Sequence, residues 1–183
     1  MPYNPEIHHR RSIRLRNYNY SQNGAYFVTL ITKNRENLFG EIKNGEMILN
    51  DIGRVVEDEW LMSQKIRKEI ELDEYCIMPN HFHAIVSIVG ANGVCPDSEG
   101  VCPDSEGECH SPLRKSKSLS SLMAGFKSSV TKRINIVRDM NGLPVWQRNY
   151  YEHIVRNESD LRNIRQYIIQ NPLNWENDDE FMS

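Results

Sequence analysis

The sequence predicts an α+β fold, an antiparallel sheet of the split βαβ type with helices on one face and a further helix at the C-terminus. Runs of β-branched and aromatic residues predict three main strands, at residues 26–32, 71–78 and 81–89. Apolar residues at three- and four-residue intervals predict three helices, at residues 52–65, 118–135 and 158–170. Weaker strand signals lie between these elements, and their order along the chain is typical of a split βαβ sheet.

Turn and capping signals separate the elements of the first half. Asn44-Gly45 predicts a hairpin between residues 38–42 and 47–49, because Asn-Gly favours a tight two-residue turn. Asn50-Asp51 can cap the first helix. Pro79-Asn80 is expected to turn the chain between the second and third main strands.

The C-terminal part is less regular at its start. Residues 145–155 are predicted to hold the last strand or an irregular arm. Asn157 or Ser159 is expected to cap the final helix, and Pro172 ends that helix near Asn171, because a residue before proline is disfavoured in the helical conformation.

The segment at residues 91–111 has a different composition. The heptapeptide at residues 94–100, VCPDSEG, is repeated without change at residues 101–107. Two copies are too few for a solenoid, and the proline, glycine, serine and acidic residues favour a mobile loop. We therefore expect one domain over residues 1–183, with a mobile acidic insertion at residues 91–111.

Composition excludes several classes of protein. The 183 residues are 39% hydrophobic and 26% charged, as in an ordinary soluble protein, and are enough to bury a core. No apolar run approaches the roughly 18 residues that a transmembrane helix needs. The N-terminal segment lacks the apolar core of a signal peptide, so we expect a cytoplasmic protein. Four cysteines at this length do not indicate a disulfide scaffold.

The net charge of −3 hides two basic blocks. Residues 7–35 and residues 109–138 contain no acidic residue, whereas each block holds several arginines and lysines. Such blocks can bind phosphate groups. On charge alone, an ordinary solvated face is an equally good interpretation.

The triplet His81-Phe82-His83 is the most informative short motif. Residues two apart on a strand point to the same side, so the two imidazoles can converge on one ion. Structural zinc is disfavoured because it usually takes four cysteine and histidine ligands. Taken alone, the triplet is explained more simply by two surface histidines at the start of a strand.

Tyr167 and Asn171 lie four residues apart on the final helix and therefore share one face. Leu161, Ile164 and Ile168 form the adjacent apolar stripe that should seat this helix on the body of the protein. Alone, Tyr167 could be a half-buried packing residue, and Asn171 could be the last residue before Pro172.

Four sequence blocks together resemble the single-tyrosine HUH transposases of the insertion-sequence type, in the REP-associated tyrosine transposase branch. Residues 78–86, MPNHFHAIV, resemble the HUH motif. Residues 145–148, VWQR, residues 151–156, YEHIVR, and residues 167–172, YIIQNP, resemble the later blocks, in family order. The resemblance covers most of the chain from Tyr26 to Pro172, and the acidic insertion departs from it.

The resemblance implies both a fold and a set of site residues. The fold is a ferredoxin-like or RRM-like sheet, with the tyrosine helix facing the histidines. His81 and His83 match metal-binding histidines, Asn171 matches a third, amide-type ligand, and Tyr167 matches the catalytic tyrosine. The implied cofactor is a divalent metal, Mg²⁺ or Mn²⁺.

The resemblance also implies an activity. The tyrosine attacks single-stranded or hairpin DNA and forms a 5′-phosphotyrosine, in DNA transposition or on repetitive hairpin elements. Members are monomers or homodimers, and in some dimers the tyrosine helix acts in the partner's site.

Weaker candidates for DNA binding come from the basic blocks and from the aromatic residues before the final helix. Each basic residue could equally face solvent, and each aromatic residue could pack in the core instead of stacking on a base. The candidates are Arg10, Arg11, Arg14, Arg16, Lys127, Lys132, Arg133, Trp146, Tyr150 and Tyr151.

Two other functions compete with the transposase-like enzyme. A catalytically silent nucleic-acid-binding protein on the same fold should lack the tyrosine or a histidine, and this chain has both. A hydrolytic phosphodiesterase would use water and leave Tyr167 dispensable. Among tyrosines, Tyr75, Tyr150 and Tyr151 are the rivals of Tyr167 as nucleophile.

Overall fold

The structure, a computed structural model, describes residues 23–89 and 118–177. Arg10, Arg11, Arg14 and Arg16 lie outside the described residues, as does the insertion at residues 91–111, so those assignments stay predictions. Within the two described ranges, no helix is both long and apolar enough to cross a membrane.

The helices and strands follow the predicted order. In chain order they are β1 (Gly24–Ile31), β2 (Gly40–Lys43), β3 (Glu46–Leu49), α1 (Asp51–Ile66), β4 (Ile70–Ile77), β5 (His81–Ile88), α2 (Leu119–Val137), β6 (Tyr151–Ile154) and α3 (Glu158–Gln170). Two short 3-10 turns follow these elements: Lys33–Arg35 comes after β1, and Pro172–Asn177 comes after α3.

Four strands form an antiparallel sheet in the order β4-β5-β1-β6, and β2 pairs with β3 as a separate hairpin. Strand β5 lies between β1 and β4 in the sheet, although β1 and β4 are connected in sequence through α1. This is the arrangement that the split βαβ pattern requires. The α+β, ferredoxin-like prediction is confirmed.

The sheet buries a different set of side chains on each face. Tyr26, Val28 and Leu30 of β1 belong to the larger core, which also contains Trp60 of α1 and Phe126 of α2. The alternate residues Phe27 of β1 and Ile85 of β5 pack on the other face, against Ile168 of α3. Because successive strand residues point to opposite sides, α1 and α2 cover one face and α3 covers the other.

Local signals correctly located the caps and the hairpin turn. Asn50 accepts a hydrogen bond from Gly53 N at 2.9 Å at the start of α1, and Asn157, rather than Ser159, caps α3 by accepting from Asp160 N. Asn44 and Gly45 have φ values of 54° and 78°, the left-handed conformation of a type I′ turn.

The segment at residues 145–155 contains both an irregular arm and a strand, the two alternatives that the sequence left open. Only Tyr151–Ile154 pairs as a strand, β6, along the edge of β1. Before it, the chain is an irregular arm in which Trp146 forms an isolated antiparallel bridge with Thr32.

Candidate active site

His81 and His83 lie on the sheet face that α3 covers. Their rings are 4.5 Å apart between centroids, and the side chains are 0% and 2% exposed. The simpler interpretation of the triplet, two surface histidines, is wrong, because α3 and the turn after it cover this end of β5. Two buried imidazoles in contact make a polar centre beside the small apolar cluster of this face.

Tyr167 approaches this centre from α3. Its Oη lies 3.3 Å from Nε2 of His83, and its ring packs edge-on against Phe27 with centroids 6.1 Å apart. The side chain is 46% exposed, whereas the next residue, Ile168, is 1% exposed. Tyr167 therefore joins the buried histidine to a surface that a large substrate can reach.

Asn171 lies in the chain between two residues whose rings contact the histidine pair. One turn earlier, Tyr167 contacts His83; four residues later, the ring of Trp175 lies 5.8 Å from that of His81. Asn171 is 2% exposed at the end of α3, and its side-chain oxygen is buried. The four residues predicted from sequence thus come from two elements that meet at one place.

The ring nitrogens of both histidines have defined neighbours on their Nδ1 side. Nδ1 of His81 lies 2.8 Å from Asn80 Oδ1, and Nδ1 of His83 lies 2.8 Å from the hydroxyl oxygen of Thr29, its neighbour across the β1–β5 ladder. Burial, and then the charge of the neighbouring His81, holds the pKa of His83 well below 6.5. A neutral imidazole is the form that binds metal.

The donor set fits a divalent cation that accepts nitrogen and oxygen ligands. In the described ranges, no three histidine, cysteine, aspartate or glutamate side chains converge to hold a metal, so a third protein ligand beside the histidines would have to be of another type. The amide oxygen of Asn171 is such a ligand and suits Mg²⁺ or Mn²⁺. Cys76 lies opposite His83 on β4, but burial raises the pKa of its thiol to about 12.

One ion pair and one histidine–carboxylate contact fasten α3 to the sheet on either side of the candidate site. Arg165 donates to both carboxylate oxygens of Asp73 on β4, from Nε at 2.9 Å and from Nη2 at 2.6 Å. This hydrogen bonding holds the pKa of Asp73 below its usual value. On the other side, His153 Nε2 of β6 lies 2.9 Å from Asp160 Oδ2. The helix that carries Tyr167 is therefore tied to both edge strands.

The three aromatic candidates for base stacking have different environments. Trp146 is 6% exposed and packs against Phe39 and Phe126, so its predicted stacking role is wrong and it is a core residue. Tyr150 is half-buried against the same core. Tyr151 is 50% exposed, pairs with Thr29 in the sheet, and packs edge-on against Phe27. Of these three candidates, only Tyr151 has an exposed side chain on the histidine face.

The basic candidates on α2 lie on the sheet face away from the histidines. Lys127 donates from Nζ to the carbonyl oxygens of residues 147–149, at 2.6, 3.2 and 3.4 Å, and burial lowers its pKa to about 8. Arg133 pairs with Asp58 and Glu59 of α1, at 3.1 and 3.0 Å. Lys132 is exposed on the same helix. These contacts give Lys127 and Arg133 structural roles, whereas the DNA contact of Lys132 stays a prediction.

Sequence reasoning missed three residues that touch the site: Thr29, Asn80 and Trp175. Signals for them exist in hindsight. Asn80 directly precedes His81, Trp175 follows Asn171 by four residues, and Thr29 is the polar residue in an otherwise apolar strand. The contacts of Thr29 and Trp175 with the histidines depend on how distant segments pair, so the sequence does not identify them. Asn80 is next to His81, but sequence alone does not show that its side chain turns toward the ring.

Comparisons with known proteins reveal one close relative by sequence and distant relatives by structure. No protein-family model matches the chain. An uncharacterized protein of Haemophilus influenzae is 40% identical over 178 residues, which cover 96% of this chain and 95% of that protein.

Two solved structures are similar at low sequence identity. One is a REP-associated tyrosine transposase bound to a REP hairpin, with a TM-score of 0.54 and 18% identity, covering 90% of this chain and 74% of that one. The other is a putative transposase from Deinococcus radiodurans, with a TM-score of 0.46 and 15% identity, covering 87% of this chain and 98% of that one. The first similarity establishes the fold.

Proposed function

Because the chain belongs to one family with the Haemophilus influenzae protein and has the fold of the REP-associated tyrosine transposase, we propose that it is a transposase-like enzyme. Its activity is the metal-dependent nicking and rejoining of single-stranded or hairpin DNA, with Tyr167 as the nucleophile. It acts in DNA transposition or on repetitive hairpin elements.

One observation carries the proposal: the hydroxyl oxygen of Tyr167 lies 3.3 Å from Nε2 of His83 in the same chain. A tyrosine that only packed its helix on the sheet would not need its hydroxyl at a buried histidine pair. The contact also supports a site completed within one chain, whether the protein is a monomer or a homodimer.

His81, His83 and Asn171 are the proposed metal ligands. A divalent cation held by them, Mg²⁺ or Mn²⁺, supplies positive charge that favours the phenolate and offsets charge on the scissile phosphate. The two imidazoles and the amide leave room for oxygen ligands from water or DNA, so we expect metal binding by the protein alone to be modest.

Tyr167 performs the covalent step. Its Oη attacks phosphorus in line, the new bond joins Oη to phosphorus, and the bond from phosphorus to the 3′ oxygen breaks. The phenol loses its proton and the leaving oxygen becomes a 3′-hydroxyl, so the products are a 5′-phosphotyrosine and a free 3′ end. One ester replaces another, and attack by a 3′-hydroxyl on the phosphotyrosine rejoins the DNA.

The anchors of α3 contribute by holding the nucleophile in place. A free tyrosine has a pKa near 10 and is a weak nucleophile at neutral pH, so positioning matters. The pairs Arg165–Asp73 and His153–Asp160 restrict movement of α3 relative to the sheet. Tyr167 then stays beside the histidines while DNA binds and leaves.

The proposed partner is DNA with an unpaired phosphate at the cleavage point. The transposase with the shared fold was solved with a REP hairpin, and a hairpin offers both paired and unpaired segments. Tyr151, exposed on the same sheet face as His83, is a suitable platform for an unpaired base next to the cleaved bond.

The test is covalent capture of labelled single-stranded hairpin DNA in Mn²⁺, followed by denaturing electrophoresis and peptide mapping. We expect wild-type protein to give a DNA-linked band whose label maps to the peptide containing Tyr167. Tyr167→Phe keeps the ring and should abolish both adduct and cleavage. The matched control, Tyr151→Phe, should form the adduct normally.

Other outcomes would identify the competing functions. Binding without any adduct in wild-type protein would indicate a silent DNA-binding protein. Continued cleavage by Tyr167→Phe would indicate hydrolysis by water, and label on the peptide with Tyr150 and Tyr151 would mean that the nucleophile is misassigned. His83→Ala should remove cleavage while DNA binding persists; full activity of this variant, or of wild-type protein in excess EDTA, would overturn the metal assignment.

A further inference from the structure

Asn80 is a buried residue that connects His81 to the turn after β1. It is 2% exposed and directly precedes β5. Its Oδ1 lies 2.8 Å from Nδ1 of His81, and its Nδ2 donates to the carbonyl oxygen of Arg35 at 3.4 Å. Its main-chain oxygen accepts from Thr32 N at 2.8 Å. One side chain therefore contacts both a candidate metal ligand and a backbone carbonyl.

The carbonyl of Arg35 determines which way the amide of Asn80 faces. A carbonyl oxygen only accepts hydrogen bonds, so the NH₂ group must point to it. The reverse orientation would set two oxygens against each other. The amide oxygen of Asn80 then faces His81, where it can only accept.

The orientation of the amide in turn determines the tautomer of His81. Because Oδ1 only accepts, Nδ1 of His81 must carry the ring proton to form the 2.8 Å hydrogen bond. A neutral imidazole has one N–H, so Nε2 keeps its lone pair. Thr29 does not constrain His83 in this way, because a hydroxyl can donate or accept.

The turn that presents the carbonyl of Arg35 has an unusual backbone. Asn34 and Arg35 have φ values of 57° and 56°, a left-handed conformation that is unfavourable for residues other than glycine. Two hydrogen bonds hold the turn, from Thr32 Oγ1 to Glu36 O at 2.9 Å and from Lys33 N to Val145 O at 2.8 Å. Such costs are concentrated at functional sites.

We propose that Asn80 is a positioning residue that fixes the Nδ1–H tautomer of His81, so that Nε2 is presented to the site as a lone pair. The left-handed turn in turn fixes the orientation of the Asn80 amide, because it presents the carbonyl of Arg35 to the NH₂ group. Outer contacts of this kind orient metal-binding histidines and raise their affinity for the ion. The inference rests on the proposed function only for the identity of the ligand that Nε2 meets.

The first measurement is the protonation of each imidazole nitrogen in metal-free, ¹⁵N-labelled protein, by long-range ¹H–¹⁵N correlation at a pH where His81 is neutral. We expect wild-type His81 to carry its proton on Nδ1. Asn80→Ala should shift His81 toward the Nε2–H tautomer. Asn80→Asp, which keeps an acceptor for Nδ1–H but no donor for the carbonyl of Arg35, should restore the Nδ1–H tautomer.

The second measurement is binding of Mn²⁺ alone, by electron paramagnetic resonance. Loss of an outer contact to a metal-binding histidine typically weakens metal binding 10- to 100-fold, and we expect a loss of about that size for Asn80→Ala. The matched control is Asn135→Ala: Asn135 is also buried and donates to a backbone carbonyl, Leu143 O at 3.0 Å, but belongs to α2. Asn135→Ala should lower stability without changing the tautomer of His81 or the binding of Mn²⁺.

An Nε2–H tautomer of His81 in wild-type protein would overturn the proposal, and this result does not depend on any variant folding. An unchanged tautomer in folded Asn80→Ala would also overturn it. The expected tautomer together with absent DNA cleavage would instead overturn the proposed function and leave this inference standing.

Discussion

Tyr151 and Trp146 are close in sequence but differ in what their rings contact. Trp146 is enclosed by Phe39 and Phe126, whereas half of the Tyr151 side chain is exposed beside the candidate site. A ring can stack on an unpaired base only if one of its faces or edges is accessible. Of these two residues, only Tyr151 can therefore contribute directly to DNA affinity.

We predict that Tyr151→Ala weakens binding of a single-stranded oligonucleotide by about 1–3 kcal/mol, roughly 5- to 150-fold, the usual range for one stacked base. Fluorescence anisotropy with labelled DNA measures the change. Trp146→Phe is the control: it should lower the melting temperature, because it leaves space in the core, while DNA affinity stays unchanged. An unchanged affinity for Tyr151→Ala, or an equal loss for Trp146→Phe, would contradict the assignment.

At the scale of single elements, α1 contains a glycine in its first turn and α2 contains one in its interior, and the two glycines have different surroundings. A Cβ added at Gly53 of α1 would lie 2.1 Å from the carbonyl oxygen of Phe39, because the helix packs directly on that backbone. A Cβ at Gly125 of α2 would meet only the end of the Arg67 side chain, at 3.8 Å. Helix propensity alone would favour alanine at both positions, by about 1 kcal/mol in the helix interior at Gly125.

Packing should therefore make one of the two Gly→Ala substitutions destabilising, although helix propensity favours alanine at both positions. We predict that Gly53→Ala lowers the free energy of unfolding by about 1–3 kcal/mol, the cost of overpacking against backbone that cannot move aside. Gly125→Ala should raise it by up to about 1 kcal/mol. Urea denaturation of the two variants measures both changes. Stabilisation by Gly53→Ala would mean that α1 does not pack this closely on the segment before β2.

The helix α3 carries both the contacts that anchor it to the sheet and the proposed nucleophile. Ile168, Leu161 and Ile164 seat it on the sheet, while Arg165 and Asp160 tie it to the two edge strands. Tyr167 lies between these contacts and leaves one side open to solvent. The helix is thus anchored to the sheet along its base and is accessible at Tyr167, the proposed nucleophile.

At the scale of the whole molecule, the two faces of the sheet have different tasks. The face under α1 and α2 contains the larger apolar core and supports stability. The face under α3 contains the histidines, Thr29 and the nucleophile candidate, with a smaller apolar cluster beside them. A polar site on the second face is tolerated because the first face supplies most of the buried apolar contacts.

The acidic insertion is the remaining feature at this scale. It connects β5 to α2, and Ser118 caps α2 by accepting from Ser121 N. We predict that replacing residues 94–109 with a short Gly-Ser linker leaves DNA cleavage unchanged and changes stability by no more than about 0.5 kcal/mol, because loop-closure entropy depends weakly on length. Thermal unfolding and the covalent capture assay measure the two effects. A large fall in melting temperature, or lost cleavage with folding intact, would show that the insertion takes part in the structure or the site.

The sequence by itself determined the elements and their order, and it singled out His81, His83, Tyr167 and Asn171 as candidate site residues. Strand and helix periodicity, the caps Asn50 and Asn157, and the Asn44-Gly45 turn depend on residues within a few positions of each other, so they can be read without the fold. The same is true of the spacing between His81 and His83 and between Tyr167 and Asn171.

Only the tertiary structure decided which partners those residues meet. Thr29 and His83 are 54 residues apart, and His83 and Tyr167 are 84 residues apart, so no local pattern encodes their hydrogen bonds. Burial is a property of the assembled chain: it made Trp146 a core residue and left Tyr151 exposed, and it placed α3 on the face opposite α1 and α2. The physical reason is that solvent exclusion and hydrogen-bond geometry depend on segments distant in sequence, whereas propensity and spacing are local.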